Sequence, residues 1–363
     1  MGLTVLSVAY PLTEVGENAV GGSEQVVTML DRALTEAGHR SLVIAAEGSQ
    51  VRGKLVASPA ARGMIDQAAR QRSQKIHARL IRETLAAEAV DLVHMHSLDF
   101  HAYLPAPGTP TLATLHLPTD WYPADIFYLK RQHTYLNCVS LSQEKVCPPS
   151  PLLVPAVGNG VDVERIGGRS PRQGFALSLG RICPEKGFHF ALDAARQCGV
   201  DFILGGAVAP YEAHSEYFAQ EIVPRLDRQR RLVGPVGFDT KRRLLLQARC
   251  LLIPSKVQET SSLVAMEALA AGTPVIAFPS GALPEIVEDG RTGYIVSNTR
   301  EMARAIKAAD KIDAEVCRSE AKRRFAAEKM VAAYIQRYRQ IIAQKAAERE
   351  PRALSATSWL VSW

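Results

Sequence analysis

The chain opens on an apolar run at residues 3–10 that is rich in strand formers. A loop then leads to Gly21-Gly22-Ser23-Glu24, after which Val26, Val27, Leu30, Ala33, Leu34 and Ala37 fall on one stripe of a helix. Ser23 is the expected N-cap, and Gly38 stands just past the last periodic position. Short strands are predicted at 41–46, 90–95, 111–115 and 135–139, with a long helix over about 66–89 between the first two. Buried strands separated by helices and turns predict a parallel sheet covered on both faces.

Near residue 160 the pattern breaks. Asn159-Gly160-Val161-Asp162 and Gly167-Gly168-Arg169-Ser170-Pro171 carry little apolar content and are read as a junction between lobes. The alternation then restarts, with strands at 175–179, 201–204, 250–254 and 274–278. Helices are predicted at 187–198, 241–248, 261–271 and 301–309, and from 315 to 347 with a break inside. Gly272-Thr273-Pro274 discourages continuation of the helix at 261–271. The predicted class is α/β, two Rossmann-like doubly wound parallel sheets facing a cleft. Residues 1–165 form a first, acceptor-side domain and 166–335 a second domain, while 336–363 pack back on the first. Trp359 and Trp363 are expected to help dock the tail.

Composition narrows the class. The 363 residues are 47% hydrophobic and 22% charged, enough for two cores of ordinary size. Lysine and arginine exceed aspartate and glutamate by 43 to 37, giving a net charge of +6. That excess suits a phosphate-bearing ligand, but no stripe of cations interleaved with aromatics marks a nucleic-acid binder. The six cysteines form no C-x-x-C pair and are expected as reduced thiols in a cytoplasmic protein. No stretch predicts a membrane span or a secretory leader. The basic stretch 62–82, with Arg70, Arg72, Lys75, Arg79 and Arg82, leaves peripheral contact at the inner membrane face open. An ordinary surface helix is the favoured reading, with Ile65, Ile76, Leu80 and Ile81 packing inward.

Candidate chemistry concentrates between 254 and 274. Glu259 lies in the loop after a predicted strand, and Glu267 lies within a helix otherwise built from Ala265, Met266, Ala268, Leu269 and Ala271. A lone carboxylate in so apolar a helix needs a partner. The first amides of that helix, at Ser262, Leu263 and Val264, offer a nest for a diphosphate. Arg181 and Lys186, in Gly180-Arg-Ile-Cys-Pro-Glu-Lys-Gly187, stand at the mouth of another helix. There they can hold a diphosphate and balance the charge that develops as it leaves. Gly22 permits close backbone approach to phosphate or sugar, although a plain turn is an equal reading. His94 and His96 lie on one face of a strand, followed by Asp99 and His101; no further pattern supports a metal, and His96, Asp99 and His101 are expected to line the cleft on the acceptor side. His116 ends another strand and is either a cleft residue or a core histidine.

These motifs resemble those of the family 4 retaining glycosyltransferases of GT-B architecture, most strongly from Gly180 to Val296. Glu259 and Glu267 look like the family's E-x7-E element, continued by Ala268-Leu-Ala-Ala-Gly-Thr-Pro-Val275, and Arg181 and Lys186 look like its phosphate-binding cations. Gly281-Ala-Leu-Pro-Glu285 and Thr292-Gly-Tyr-Ile-Val296 look like its following segments. The resemblance implies a nucleoside diphosphate sugar donor, a hexosyl group passed with retention to a hydroxyl acceptor, and no required cofactor or metal. The acceptor would be a small molecule, a glycan or a lipid-linked sugar. Glu259 would then meet the transferred sugar and Glu267 the ribose. Ser262 and Leu263 amides would hold the diphosphate with Arg181 and Lys186, with Gly22 approaching from the first lobe, while His116 would sit near the reacting face of the sugar. Val236 and its neighbours would hold the base. Where many members carry Gly-Phe-Gly after the first glutamate, this chain has Thr260-Ser261-Ser262, whose hydroxyls can add hydrogen bonds to phosphate or sugar. A nucleotide-sugar epimerase, or a non-catalytic nucleotide-sugar-binding protein of the same fold, is the alternative.

Overall fold

The computed structural model describes residues 2–349, apart from 20, 61, 62 and 64. The first lobe comprises β1 (Thr4–Val8), α1 (Gly22–Glu36), β2 (Arg40–Ala46), β3 (Lys54–Ser58), α2 (Gln67–Ala87), β4 (Leu92–Met95), β5 (Thr111–Leu115), β6 (Thr134–Cys138), α3 (Leu141–Val146) and β7 (Leu153–Val154). After α4 (Val163–Ile166), the second lobe begins with β8 (Ala176–Leu179), α5 (Phe188–Cys198), β9 (Phe202–Gly205), α6 (Glu212–Tyr217) and β10 (Arg230–Gly234). It continues with α7 (Phe238–Gln247), β11 (Cys250–Ile253), α8 (Leu263–Ala270), β12 (Val275–Ala277), α9 (Leu283–Ile286), β13 (Gly293–Ile295) and α10 (Thr299–Ala308). Two helices, α11 (Ala314–Phe325) and α12 (Ala327–Arg349), close the chain.

The first sheet has the order β3-β2-β1-β4-β5-β6-β7 and the second β10-β9-β8-β11-β12-β13, with parallel pairing throughout. Each order reverses once, between β1 and β4 and between β8 and β11, and a doubly wound sheet binds ligands beyond the strand ends at that reversal. The loops after β1, β4, β8 and β11 are therefore the ones to hold chemistry. The first leads to Gly22 at the start of α1, and the others contain His96, Arg181 with Lys186, and Glu259 respectively.

The central strands were legible because both faces are buried. β2, for example, buries every residue from Ser41 to Ala46, and β11 all of Cys250 to Ile253. The unpredicted strands β3, β7, β10 and β13 all lie at sheet ends. Edge strands are short and carry polar residues that deter pairing with other chains, so their hydrophobic signal is weak. β10 shows it, with Arg230 and Arg231 at its start and alternating burial. The predicted Ser23 cap is a correction: Gly21 occupies that position in extended conformation and Ser23 lies inside α1, its hydroxyl donating to Glu24 Oε2 at 3.0 Å. The helix predicted at 261–271 begins at Leu263 with Ser262 as its N-cap, leaving Ser261 in the loop. The helix predicted at 241–248 starts earlier, at Phe238, which places Lys241 in its first turn. The break predicted after 315 falls at Ala326. Trp359, Trp363 and Arg62 lie outside the described residues.

α12 runs back across the first lobe. Its Tyr334 and Tyr338 are fully buried, and their hydroxyls join Thr114, Asn137 and His94 of that lobe. Other ties cross between the lobes. The Phe238 amide at the start of α7 donates to Asn18 Oδ1 at 3.0 Å, and the Glu285 carboxylate accepts the Ser142 amide at the start of α3 at 2.8 Å. In α2, Ile81 and His77 point inward while Arg72, Lys75, Arg79 and Arg82 are exposed, the arrangement of a surface helix on its own lobe. No helix of the described residues is long and apolar enough to cross a membrane.

Candidate active site

Glu259 sits where β11 gives way to α8. Its backbone carbonyl accepts the Ala282 amide at 2.7 Å, and the turn at Gly281 lies directly on it. A side chain at Gly281 would collide with the Glu259 backbone, and the residue's φ of 55° is one that glycine adopts without strain. The carboxylate is buried and receives Lys186 Nζ at 2.6 Å. Lys186 in turn ends the short 3-10 turn after β8, and Gly187, also left-handed at φ 63°, packs against the carbonyl of Pro254. The two loops are further joined by the Lys256 amide, which donates to the Glu185 carbonyl at 2.8 Å. Arg181 is exposed on the same loop and makes no ion pair among the described residues, so its guanidinium is free to meet an anion.

Glu267 is one turn into α8 and is buried among apolar neighbours. The partner its sequence context demanded is Lys241, from the first turn of α7, with Nζ 2.5 Å from Oε1. Burial raises the Glu267 pKa above its usual 4.5, and Lys241 offsets part of that rise. Lys241 was not singled out in the sequence. The clue was present in the demand for a counter-ion, but nothing in residue order says that α7 lies beside α8. A recess of about 460 Å³, open to solvent, reaches this pair between α1 and α7 and is lined by Gln25, Thr28, Arg165, Phe238, Lys241 and Glu267. The Arg165 guanidinium covers the Phe238 ring at 4.3 Å from its centroid.

At the start of α8 the Ser262 hydroxyl accepts the Ala265 amide at 3.4 Å. The Leu263 and Val264 amides take no partner among the described residues. Ser261 Oγ is buried and unpartnered, a polar atom available to a ligand. The first lobe closes the other side. A Cβ on Gly22 would stand 3.5 Å from Leu263 Cδ1, so the glycine brings α1 against the start of α8. Thr260 Oγ1 donates to the His116 carbonyl at 2.8 Å, joining the two loops across the cleft. Val236 lies half-buried in the turn before α7, beside Gly205. The structure thus brings Gly22, His116, Lys186, Glu259, Ser261, Ser262, Leu263 and Glu267 around one cleft, with Arg181 at its edge.

The histidines divide by role. His94 is fully buried with both ring nitrogens occupied, Nδ1 with the Tyr338 hydroxyl at 2.7 Å and Nε2 with Thr114 Oγ1 at 2.8 Å. It has no lone pair left for a metal. Asp99 also has both oxygens engaged, by Tyr103, Ser97 and Gln74, and His101 Nδ1 is buried without a partner. His116 Nε2 lies 3.0 Å from His96 Nδ1, and burial depresses the His116 pKa to about 3, leaving a neutral imidazole. One further grouping was invisible in the sequence: Cys183, Glu185 and His214 each bring a donor atom within 4.8 Å of the others.

Two doubly wound parallel sheets, with the reversal points of both turned toward a cleft edged by cations and carboxylates, make up the GT-B class of glycosyltransferase fold. A family model described as glycosyl transferases group 1 matches residues 174–309, and one described as glycosyltransferase family 4 matches residues 20–141. The chain belongs to the family 4-like glycosyltransferases. Among solved structures it is similar to AviGT4, a glycosyltransferase involved in avilamycin A biosynthesis, with 26% identity and a TM-score of 0.71 over 94% of this chain and 98% of that one. The Anabaena protein HepE, in complex with UDP and glucose, shares the fold at 18% identity and a TM-score of 0.71, over 95% of this chain and 100% of its own. A lipopolysaccharide 1,2-N-acetylglucosaminetransferase of Salmonella typhimurium is 32% identical over 103 residues, 28% of this chain and 20% of its own. The chain spans less than half the length of the curated relatives it matches.

Proposed function

We propose that the chain is a retaining glycosyltransferase that moves a hexosyl group from a nucleoside diphosphate sugar to a hydroxyl acceptor. The observation that carries this reading is the pair of lysine–carboxylate contacts, Lys186–Glu259 and Lys241–Glu267, set on either side of the start of α8 and opposite Gly22 and His116. A diphosphate placed at the Leu263 and Val264 amides meets Lys186 and Arg181 directly. Glu267 accepts the ribose hydroxyls, with Lys241 holding its charge in a buried position. The base lies toward the turn at Val236. HepE, which shares the fold and is in complex with UDP and glucose, supports a nucleoside diphosphate as part of the donor.

The chemistry breaks the bond from the anomeric carbon to the diphosphate oxygen and forms one to the acceptor oxygen on the same face. The acceptor's proton passes to the departing phosphate oxygen, so the transfer needs no separate general base. Arg181 and Lys186 stabilise the negative charge that grows on the diphosphate. That is the work a divalent ion would otherwise do, and the reaction is proposed to need no metal or cofactor. Lys186 exchanges Glu259 for phosphate as the donor enters, which frees Glu259 to accept hydrogen bonds from hydroxyls of the sugar. Ser261 Oγ supplies a further polar contact where many members carry the phenylalanine of Gly-Phe-Gly. His116 faces the sugar near its reacting carbon. The acceptor is a hydroxyl of a small molecule, a glycan or a lipid-linked sugar. The six free thiols suit a reducing, cytoplasmic setting.

The test is calorimetric titration with uridine, guanosine, adenosine and thymidine diphosphate sugars, with and without a chelator, followed by transfer to an acceptor panel and analysis of the anomeric product. Chelator-resistant binding and a retained configuration support the reading. Tight donor binding with an isomerised free sugar identifies an epimerase instead, and tight binding with no transfer identifies a binding protein.

A further inference from the structure

Two imidazoles meet at the first-lobe side of the cleft. His96 Nδ1 is 3.0 Å from His116 Nε2, and the rings are nearly parallel at 23° with centroids 5.3 Å apart. The His96 ring is also held from behind by His94, whose centroid is 3.8 Å away and whose own nitrogens are committed to Tyr338 and Thr114. His96 is 1% exposed, and its Nε2 is buried with no partner. Only one proton can lie between His96 Nδ1 and His116 Nε2. If His116 donated it, His96 Nε2 would carry a buried N–H with nothing to donate to. If His96 donates it, the buried orphan is a bare lone pair. Buried donors without an acceptor are the rarer defect in folded chains, so the second arrangement is favoured. His116 then carries its own proton on Nδ1, the ring nitrogen not committed to the protein.

We propose that His96 is a positioning residue that holds His116 in the neutral Nδ1–H form, so that His116 presents a hydrogen-bond donor to the sugar. This rests on the transferase reading for its consequence, though not for its geometry. The depressed pKa of both rings supports it, since burial keeps each uncharged. His116 is therefore a fixed donor and not an acid–base group, which agrees with a transfer whose proton goes to the leaving phosphate. The device reaches into the C-terminal helix as well. Tyr338 of α12 orients His94, and the His94 ring packs against His96 at a tilt of 46°, so the helix that braces the lobe also braces the donor.

The experiment uses the full chain with ¹⁵N-labelled histidine and long-range proton–nitrogen spectra at neutral pH, His116 being assigned by its loss in His116→Gln. The expected wild-type spectrum shows His116 with a protonated Nδ1 and a bare Nε2. His96→Ala releases that preference and lowers kcat about tenfold or more, with donor Kd nearly unchanged. His96→Asn, whose amide N–H takes the place of Nδ1–H, restores both the tautomer and the rate. A wild-type His116 that is charged, or protonated on Nε2, overturns the proposal even if His96→Ala does not fold. So does a His96→Ala protein whose His116 spectrum is unchanged. The spectra need no sugar transfer, so failure of the tautomer assignment and failure of the transferase reading appear in separate measurements.

Discussion

Replacing Lys241 with methionine leaves the Glu267 carboxylate in place and removes its counter-ion. The two side chains are 15% and 6% exposed, so water can replace little of what is lost. Breaking one side of a buried ion pair costs about 3–5 kcal/mol when the remaining charge has no escape. Glu267 has one, because it can take up a proton. At pH 7 the cost of holding it neutral, relative to an unfolded carboxyl of pKa 4.5, is about 1.4 kcal/mol for each unit of difference, or roughly 3.4 kcal/mol. That figure is the ceiling on the destabilisation. In the variant the native state binds the proton that the unfolded state has released, so stability falls as pH rises above 4.5 until the raised native pKa is passed. The deficit against wild type should accordingly be smaller at about pH 5.5 than at about pH 7. Urea unfolding at the two pH values reads it from the midpoint, and the double variant Lys241→Met with Glu267→Gln should recover most of the loss. A deficit that is the same at both pH values, or a double variant no more stable than the single one, refutes the assignment of Lys241 as the buried counter-ion.

Other expectations follow from the same geometry. Lys186→Ala and Arg181→Ala should each lower transfer on the order of 10²–10³ in single-turnover assays, and the Arg181 variant should keep wild-type stability because that side chain makes no ion pair among the described residues; unaltered rates in both would sink the diphosphate site. Donor affinity should weaken on acidification, starting above pH 4.5, as the raised Glu267 carboxyl is protonated and stops accepting from the ribose. Calorimetry across that range checks this, and a flat profile would remove Glu267 from the nucleotide site. Gly22→Leu should raise donor Kd about tenfold or more with little change in thermal midpoint, since a Cβ there meets only Leu263 at 3.5 Å and a longer chain must push into the cleft. Tyr338→Phe leaves His94 Nδ1 buried without a partner and should cost about 1–3 kcal/mol in denaturant unfolding.

The sequence by itself determined the elements whose signal is local. The central strands of both sheets announce themselves as short, predominantly apolar runs, because a strand buried on two faces carries few polar residues, and those it has, such as Thr114 and Asn137, find buried partners. Residue order also marked Glu259, Glu267, Arg181 and Lys186, through a carboxylate stranded in an apolar helix and cations at a helix mouth. The tertiary structure decided what depends on distant neighbours. The edge strands β3, β7, β10 and β13 become strands by pairing with a sheet already formed, so their own composition said little. Lys241 gains its role only because α7 packs beside α8. His96 and His116, which end neighbouring strands, meet only because β4 pairs with β5. Tyr334 and Tyr338 reach the first lobe only because α12 crosses back to it. Each of these contacts joins residues far apart in the chain, and a pattern of local hydrophobicity records which face is buried but not against what.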